Sequence, residues 1–75
     1  MRRIGEAVRM AQGKLIVRSP DESYPNLGSA VVDEDLDEVG AVVSVFGPVE
    51  QPYLAVLADR DDAALLVGSP LYARG

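Results

Sequence analysis

The 75-residue chain has no cysteine, no histidine and no tryptophan. Without cysteine it forms no disulfide and no thiolate metal site, and without histidine it lacks the commonest metal ligand. The residues that most often activate a nucleophile are therefore missing. Lys14 is paired with no particular serine, and the carboxylates cluster in stretches expected to be exposed turns. The composition thus predicts a binding module that is not an enzyme and that has no metal and no cofactor.

Long hydrophobic runs are also absent, since none approaches the roughly 18 residues that a membrane-spanning helix needs. The first three residues precede Ile4, Gly5 and Glu6 rather than an apolar signal core. The seven glycines are scattered singly, so no phosphate-binding glycine pattern occurs. We therefore expect a single domain over residues 1–75 in the cytoplasm, with no membrane contact and no small-molecule substrate.

Positive charge is scarce outside the N-terminal segment, and the net charge of -5 argues against a phosphate backbone as the main ligand. Residues 1–18 hold five basic residues and one acidic residue, whereas residues 19–75 hold two basic and eleven acidic ones. The basic segment fits contact with RNA or with an acidic partner, or neutralisation of carboxylates within the fold. Lys14 is the only lysine. This lysine-poor acidic composition gives the hypothesis that the source is halophilic.

Turn residues divide the chain into short extended segments. The predicted strands cover residues 4–10, 14–18, 30–32, 39–46, 53–57 and 70–72. Residues 19–29, with two prolines and a glycine, are expected to form a loop. Residues 63–67 fit either one helical turn capped by Asp61 or Asp62, or another strand. Six short strands at close spacing predict an all-β fold, a small closed barrel whose closure removes exposed edges.

The acidic run after the third strand has part of a calcium-binding pattern. Asp33, Asp35 and Asp37 occupy the first, third and fifth positions of an EF-hand-like loop. The sixth position should be glycine but is Glu38, and the twelfth should be glutamate but is Ser44. We interpret the run as a solvated acidic turn without a metal site.

Residues 39–56 form the most informative segment, a predicted hairpin of two apolar runs. Because side chains alternate along a strand, its faces can be assigned. Val39, Ala41, Val43 and Val45 are expected on one face, Gly40, Val42, Ser44 and Phe46 on the other, and Leu54 and Val56 opposite Tyr53, Ala55 and Leu57. Both faces are largely apolar, and a chain this short buries only about 60% of its unfolded surface. This pattern predicts a partner on the second face, or else a tightly curled barrel whose small residues tolerate partial exposure.

The turn of this hairpin contains two prolines. Pro48 fixes its own backbone angle, and Pro52 can begin a strand without wasting a hydrogen-bond donor. The resulting stiffness lowers the ordering cost of binding, so Val49 is a candidate contact residue. Phe46 is expected in the core and Tyr53 at its edge, the alternative being that both rim an interface.

One pattern in the chain consists of Val39-Gly40, Val42, Val45-Phe46-Gly47-Pro48-Val49 and Pro52-Tyr53, with weaker matches along nearly the whole chain. This pattern resembles the GAR-type subunit of H/ACA ribonucleoprotein particles, and the resemblance indicates an archaeal source. The resemblance implies a non-catalytic, six-stranded closed β-barrel with Greek-key-like, translation-factor-type topology.

The resemblance also implies a partner, the dyskerin-like pseudouridine synthase catalytic subunit, and contact with other H/ACA particle proteins and guide RNA only indirectly. The implied role is to promote substrate handling and turnover in the pseudouridylation of ribosomal RNA. The predicted partner-binding residues are Phe46, Gly47, Pro48, Val49, Pro52 and Tyr53. The alternative is a small β-barrel assembly factor that binds RNA or a ribosomal protein directly.

Overall fold

A computed structural model describes residues 2–20, 22 and 24–74. The strands are β1 (Arg2–Ala11), β2 (Lys14–Arg18), β3 (Ala30–Val32), β4 (Glu38–Phe46), β5 (Tyr53–Ala58) and β6 (Pro70–Ala73), and a 3₁₀ helix (Ala63–Leu66) joins β5 to β6. The helical alternative for residues 63–67 is therefore correct. Asp62, one of the two predicted caps, occupies the N-cap position but makes no side-chain capping hydrogen bond. No helix in the described ranges has the length and apolar character to cross a membrane.

The six strands close into a barrel in the order β1-β2-β5-β4-β3-β6, and every pair is antiparallel. Strands β3, β4 and β5 follow one another as neighbours, while β2 lies beside β5 and connects to β3 by the 19–29 segment. This is a Greek-key arrangement. The predicted all-β fold, a six-stranded closed barrel with Greek-key-like topology, is confirmed.

Branched aliphatic side chains from all six strands fill the barrel. The core cluster consists of Ile4, Ala7, Leu15, Val17, Val31, Val39, Val42, Leu54, Val56, Leu71 and Ala73. Leu66 of the 3₁₀ helix also packs against this cluster. On β5 the predicted alternation is confirmed, because Leu54 and Val56 belong to the core cluster while Tyr53 and Leu57 do not.

On β4 the predicted alternation is wrong. Val39 and Val42, expected on opposite faces, both belong to the core, and Val45 packs against it. The pairing register of β4 shifts against β3 between Val31 and Val32, and against β5 between Val42 and Ser44. A bulge adds a residue to one strand and so reverses the faces of the residues after it. The inward residues of β4 therefore recur at every third position.

The acidic turn between β3 and β4 is anchored by Asp33, which is buried rather than solvated as predicted. Its Oδ1 accepts the backbone N–H groups of Asp35 and Asp37 at 2.9 and 3.0 Å, and its Oδ2 accepts Nη1–H of Arg60 at 3.1 Å. Arg60 also donates to Asp62. Burial alone would raise the pKa of Asp33, but these hydrogen bonds outweigh it and lower the pKa. This network ties the β3–β4 turn to the segment that leaves β5.

Candidate partner-binding site

The outer surface of the β2–β5–β4 sheet, called the outer face below, is largely apolar. In its three rows Tyr53 lies between Arg18 and Phe46, Ala55 between Ile16 and Ser44, and Leu57 between Lys14 and Ala41. Val43 is the extra residue at the register shift of β4. Val43, Phe46 and Leu57 are between 40% and 49% exposed. The second apolar face predicted from the hairpin sequence therefore exists and leaves large side chains in water.

Two aromatic rings stand at one end of this face. The rings of Phe46 and Tyr53 stack with centroids 5.7 Å apart and planes inclined by 23°. Gly47 makes the arrangement possible, because its φ of +90° suits glycine and a Cβ there would lie 2.9 Å from Cδ2 of Tyr53. The expectation that Phe46 belongs to the core is wrong, since the ring is exposed on the sheet surface and outside the core cluster. The alternative, a ring at the rim of a binding surface, fits its position.

The turn between β4 and β5 is held in one shape by backbone hydrogen bonds. The N–H of Gln51 donates to the carbonyl of Pro48 at 3.3 Å, and the carbonyl of Pro52 accepts the N–H of Ser19 at 3.0 Å. Pro52 itself is buried, whereas Val49 is 81% exposed at the tip. Val49 is the most exposed of the large hydrophobic side chains in the described residues. The turn thus presents an apolar side chain on a fixed backbone.

The six predicted site residues lie close together in the structure, but they fall into two groups by exposure. Phe46, Gly47, Pro48 and Val49 are exposed and available for contact. Pro52 is buried and Tyr53 is half-buried beneath the turn, so these two support the exposed residues. Which of the six contact a partner stays a prediction.

An open groove of about 470 Å³ runs beside the turn. It is lined by residues 46–49 and Pro52, together with Val45, Glu22 and Tyr24. The sequence did not predict Glu22 and Tyr24, which lie 22 or more positions before Phe46 and line the groove from the loop between β2 and β3. The sequence held one signal that could have found Tyr24. It is one of four aromatic residues in the chain, and it lies in a predicted loop.

Cations border the outer face on the side of β1 and β2. Arg9 pairs with Ile16, Arg18 pairs with both Glu6 and Tyr53, and Lys14 pairs with Leu57. Because the alternate residues Leu15 and Val17 are in the core, Lys14, Ile16 and Arg18 lie on the outside of β2. The basic N-terminal segment of the sequence is therefore displayed next to the apolar surface.

The acidic turn holds a second group of polar side chains. Single carboxylate oxygens of Asp33, Asp35 and Asp37 lie within 4.8 Å of one another. The carboxylate of Asp33 is already engaged by two backbone amides and by Arg60. Its geometry is that of a side chain that stabilises the turn.

A closed barrel with an apolar outer face, a stiff apolar turn and a cationic border defines a small β-barrel binding domain. The sequence matches the family described as the Gar1/Naf1 RNA binding region over residues 1–74. The chain therefore belongs to this family, whose members are non-catalytic RNA-binding proteins associated with H/ACA ribonucleoprotein particles. The resemblance to a GAR-type subunit is thereby confirmed.

One solved structure, that of the Gar1 domain of Naf1, has the same fold. It superimposes with a TM-score of 0.81 at 19% sequence identity and covers 96% of this chain and 82% of the other. At this identity the likeness concerns the fold. The search of curated proteins found no match.

Proposed function

We propose that this chain is a non-catalytic GAR-type domain that docks on the catalytic subunit of the H/ACA pseudouridine synthase. In this role it promotes substrate handling and turnover when guide RNA directs the conversion of uridine to pseudouridine in ribosomal RNA. The proposal treats residues 1–75 as one domain and the outer face with the β4–β5 turn as the docking surface. The other particle proteins and the guide RNA are contacted indirectly.

The observation that carries the proposal is the exposure of large apolar side chains on the outer face and on the β4–β5 turn that joins two of its strands. Val43 and Leu57 project from the sheet, and Phe46 and Val49 continue the surface onto the turn. Apolar surface of this kind is stabilised by association with a protein that covers it. The rigid turn lowers the entropy that is lost on docking. Because the chain belongs to a family associated with H/ACA particles, we expect such a partner to be another protein of that particle.

Direct RNA binding is the second candidate function, and the cationic border favours it. Arg18 is paired with Tyr53, and Tyr53 stacks on Phe46, so a cation and two aromatic rings are adjacent. Binding of single-stranded nucleic acid uses this combination of stacking and positive charge. Such binding should weaken steeply as salt rises, whereas an apolar protein contact should survive or strengthen.

Turnover kinetics test the helper role. We expect the domain to raise the multiple-turnover rate of guide-directed pseudouridylation more than the single-turnover rate. Opening of a substrate loop or release of product limits repeated cycles in many enzymes, and the proposed domain acts on that step. Particles reconstituted with and without the domain, assayed with excess substrate RNA and then with excess particle, give the two rates.

The control is a particle to which the domain is shown to be bound before the assay. Equal multiple-turnover rates with and without bound domain would contradict the helper role. An equal rise in both rates would place the effect on the chemical step or on substrate binding instead.

The proposed location is the cytoplasm, where an archaeal guide-RNA particle works. The chain holds twelve acidic residues and one lysine, and the halophilic origin that this composition indicates stays a prediction.

A further inference from the structure

The groove beside the β4–β5 turn combines aromatic rings with the carboxylate of Glu22. Tyr24, on one loop, and Phe46, at the end of β4, both line it, and each ring is exposed. Glu22 also lines it. Among the described residues that line the groove, none is basic. The groove therefore offers a negatively charged hydrogen-bond acceptor, which the apolar outer face lacks.

The carboxylate of Glu22 is available for a partner. Among the residues that the structure describes, it takes part in no hydrogen bond and no ion pair. The carboxylate of Glu50 is exposed on the adjoining turn but does not line the groove. Both charges make this end of the surface unfavourable for phosphate groups.

We propose that the groove receives an arginine side chain of the partner protein. A guanidinium is planar, so it can stack on an aromatic face while it donates two parallel hydrogen bonds to a carboxylate. The rings of Tyr24 and Phe46 supply the faces, and Glu22 supplies the acceptor. The volume of about 470 Å³ lies within the range of about 300–1,000 Å³ that is usual for ligand sites.

This inference deepens the proposed function and rests on it, because the groove continues the docking surface along the same turn. Apolar contact alone does little to fix the orientation of a bound partner. A charged hydrogen bond at one end fixes the register of the contact. The arginine site therefore acts as the orienting element of the docking surface.

Titration of the isotope-labelled full chain with the peptide acetyl-Gly-Arg-Gly-amide, followed by NMR, tests the arginine site directly. We expect chemical-shift changes at the amides of Glu22, Tyr24, Phe46 and Gly47. The matching peptide with neutral citrulline in place of arginine should bind at least about tenfold more weakly, because it lacks the charge-assisted hydrogen bond. Equal shifts with both peptides, shifts confined to the acidic turn, or no shifts would overturn the inference. A short oligouridine that shifts the same amides more strongly would assign the groove to RNA and would also overturn it.

Three variants locate the effect. Glu22→Gln keeps the shape of the side chain and is expected to weaken the arginine peptide about tenfold, whereas Glu50→Gln should leave it unchanged. Tyr24→Leu removes a ring from an exposed position and should also weaken binding. Equal affinity in all three variants would contradict the assignment. Because the peptides need no synthase, failure of this site and failure of synthase docking give separate results.

Discussion

Replacement of Gly40 with alanine is expected to lower the free energy of unfolding by about 3 kcal/mol or more. Gly40 lies in β4, where the backbone of the paired strand β5 leaves no room for a side chain. A Cβ at this position would overlap the carbonyl oxygen of Leu57 and lie 3.0 Å from Cα of Ala58. Both contacts are with backbone, which cannot move aside without breaking the strand pair. Small domains hold about 5 kcal/mol or slightly more in total, so the variant should be largely unfolded at moderate denaturant.

Urea unfolding of the wild type and of Ser44→Ala provides the comparison. Ser44 lies four positions along the same strand and is exposed, so its replacement should change the unfolding free energy by no more than about 0.5 kcal/mol. A Gly40→Ala midpoint equal to that of Ser44→Ala would show that β4 and β5 are not as closely spaced as the structure has them.

Replacement of Val49 with aspartate is expected to weaken docking on the synthase subunit about 30-fold or more, which corresponds to about 2 kcal/mol. Val49 is 81% exposed in the free domain and contributes little to its stability. In the complex the proposed contact would bury the new carboxylate in apolar surroundings, where an unpaired charge is costly. The fold should remain intact, with an unfolding free energy within about 0.5 kcal/mol of the wild type.

Leu65→Asp is the matched control. Leu65 is 80% exposed and lies on the 3₁₀ helix (Ala63–Leu66), remote from the β4–β5 turn in sequence and outside the outer face. The Leu65→Asp substitution introduces the same charge at nearly the same exposure. A general effect of added negative charge would therefore appear equally in both variants. Calorimetric titration of the synthase subunit with each variant gives the affinities. Equal affinities would remove Val49 from the interface.

The strands of this barrel were predictable because turn residues separate apolar runs of the right length. The two-residue β1–β2 turn is an example, since Gln12 and Gly13 have φ of 52° and 78°, the backbone conformation that hairpin turns of this length require. On β5 strict alternation holds, so Leu54 and Val56 could be assigned to the core from the sequence.

The faces of β4 were not predictable in the same way. Val39 and Val42 share the core because the register shifts twice along the strand. Gly40 is compatible with a bulge, but the sequence does not indicate which residues are the extra ones. Phe46 was misassigned for a related reason. An isolated phenylalanine in an apolar run is typical of a core residue, and its exposure follows from the register and from the room that Gly47 leaves for Tyr53.

Contacts between distant segments were equally hidden. Asp33 and Arg60 are 27 positions apart, and nothing in the acidic run distinguishes the buried carboxylate from its exposed neighbours. Glu22 and Tyr24 line the groove in a loop whose first residue, Ser19, donates its N–H to the carbonyl of Pro52, and the sequence does not indicate this pairing. The six predicted site residues could be grouped from the sequence because all of them lie within the eight positions 46–53, in the β4–β5 turn or at the strand ends beside it.

Size-exclusion chromatography of this chain mixed with the H/ACA pseudouridine synthase subunit, in molar salt and without RNA, tests docking most directly. Molar salt screens the cationic border and leaves apolar contacts intact. We expect the two proteins to co-elute as one complex. Separate elution, with both proteins shown to be folded, would contradict docking through the outer face and would favour direct RNA binding.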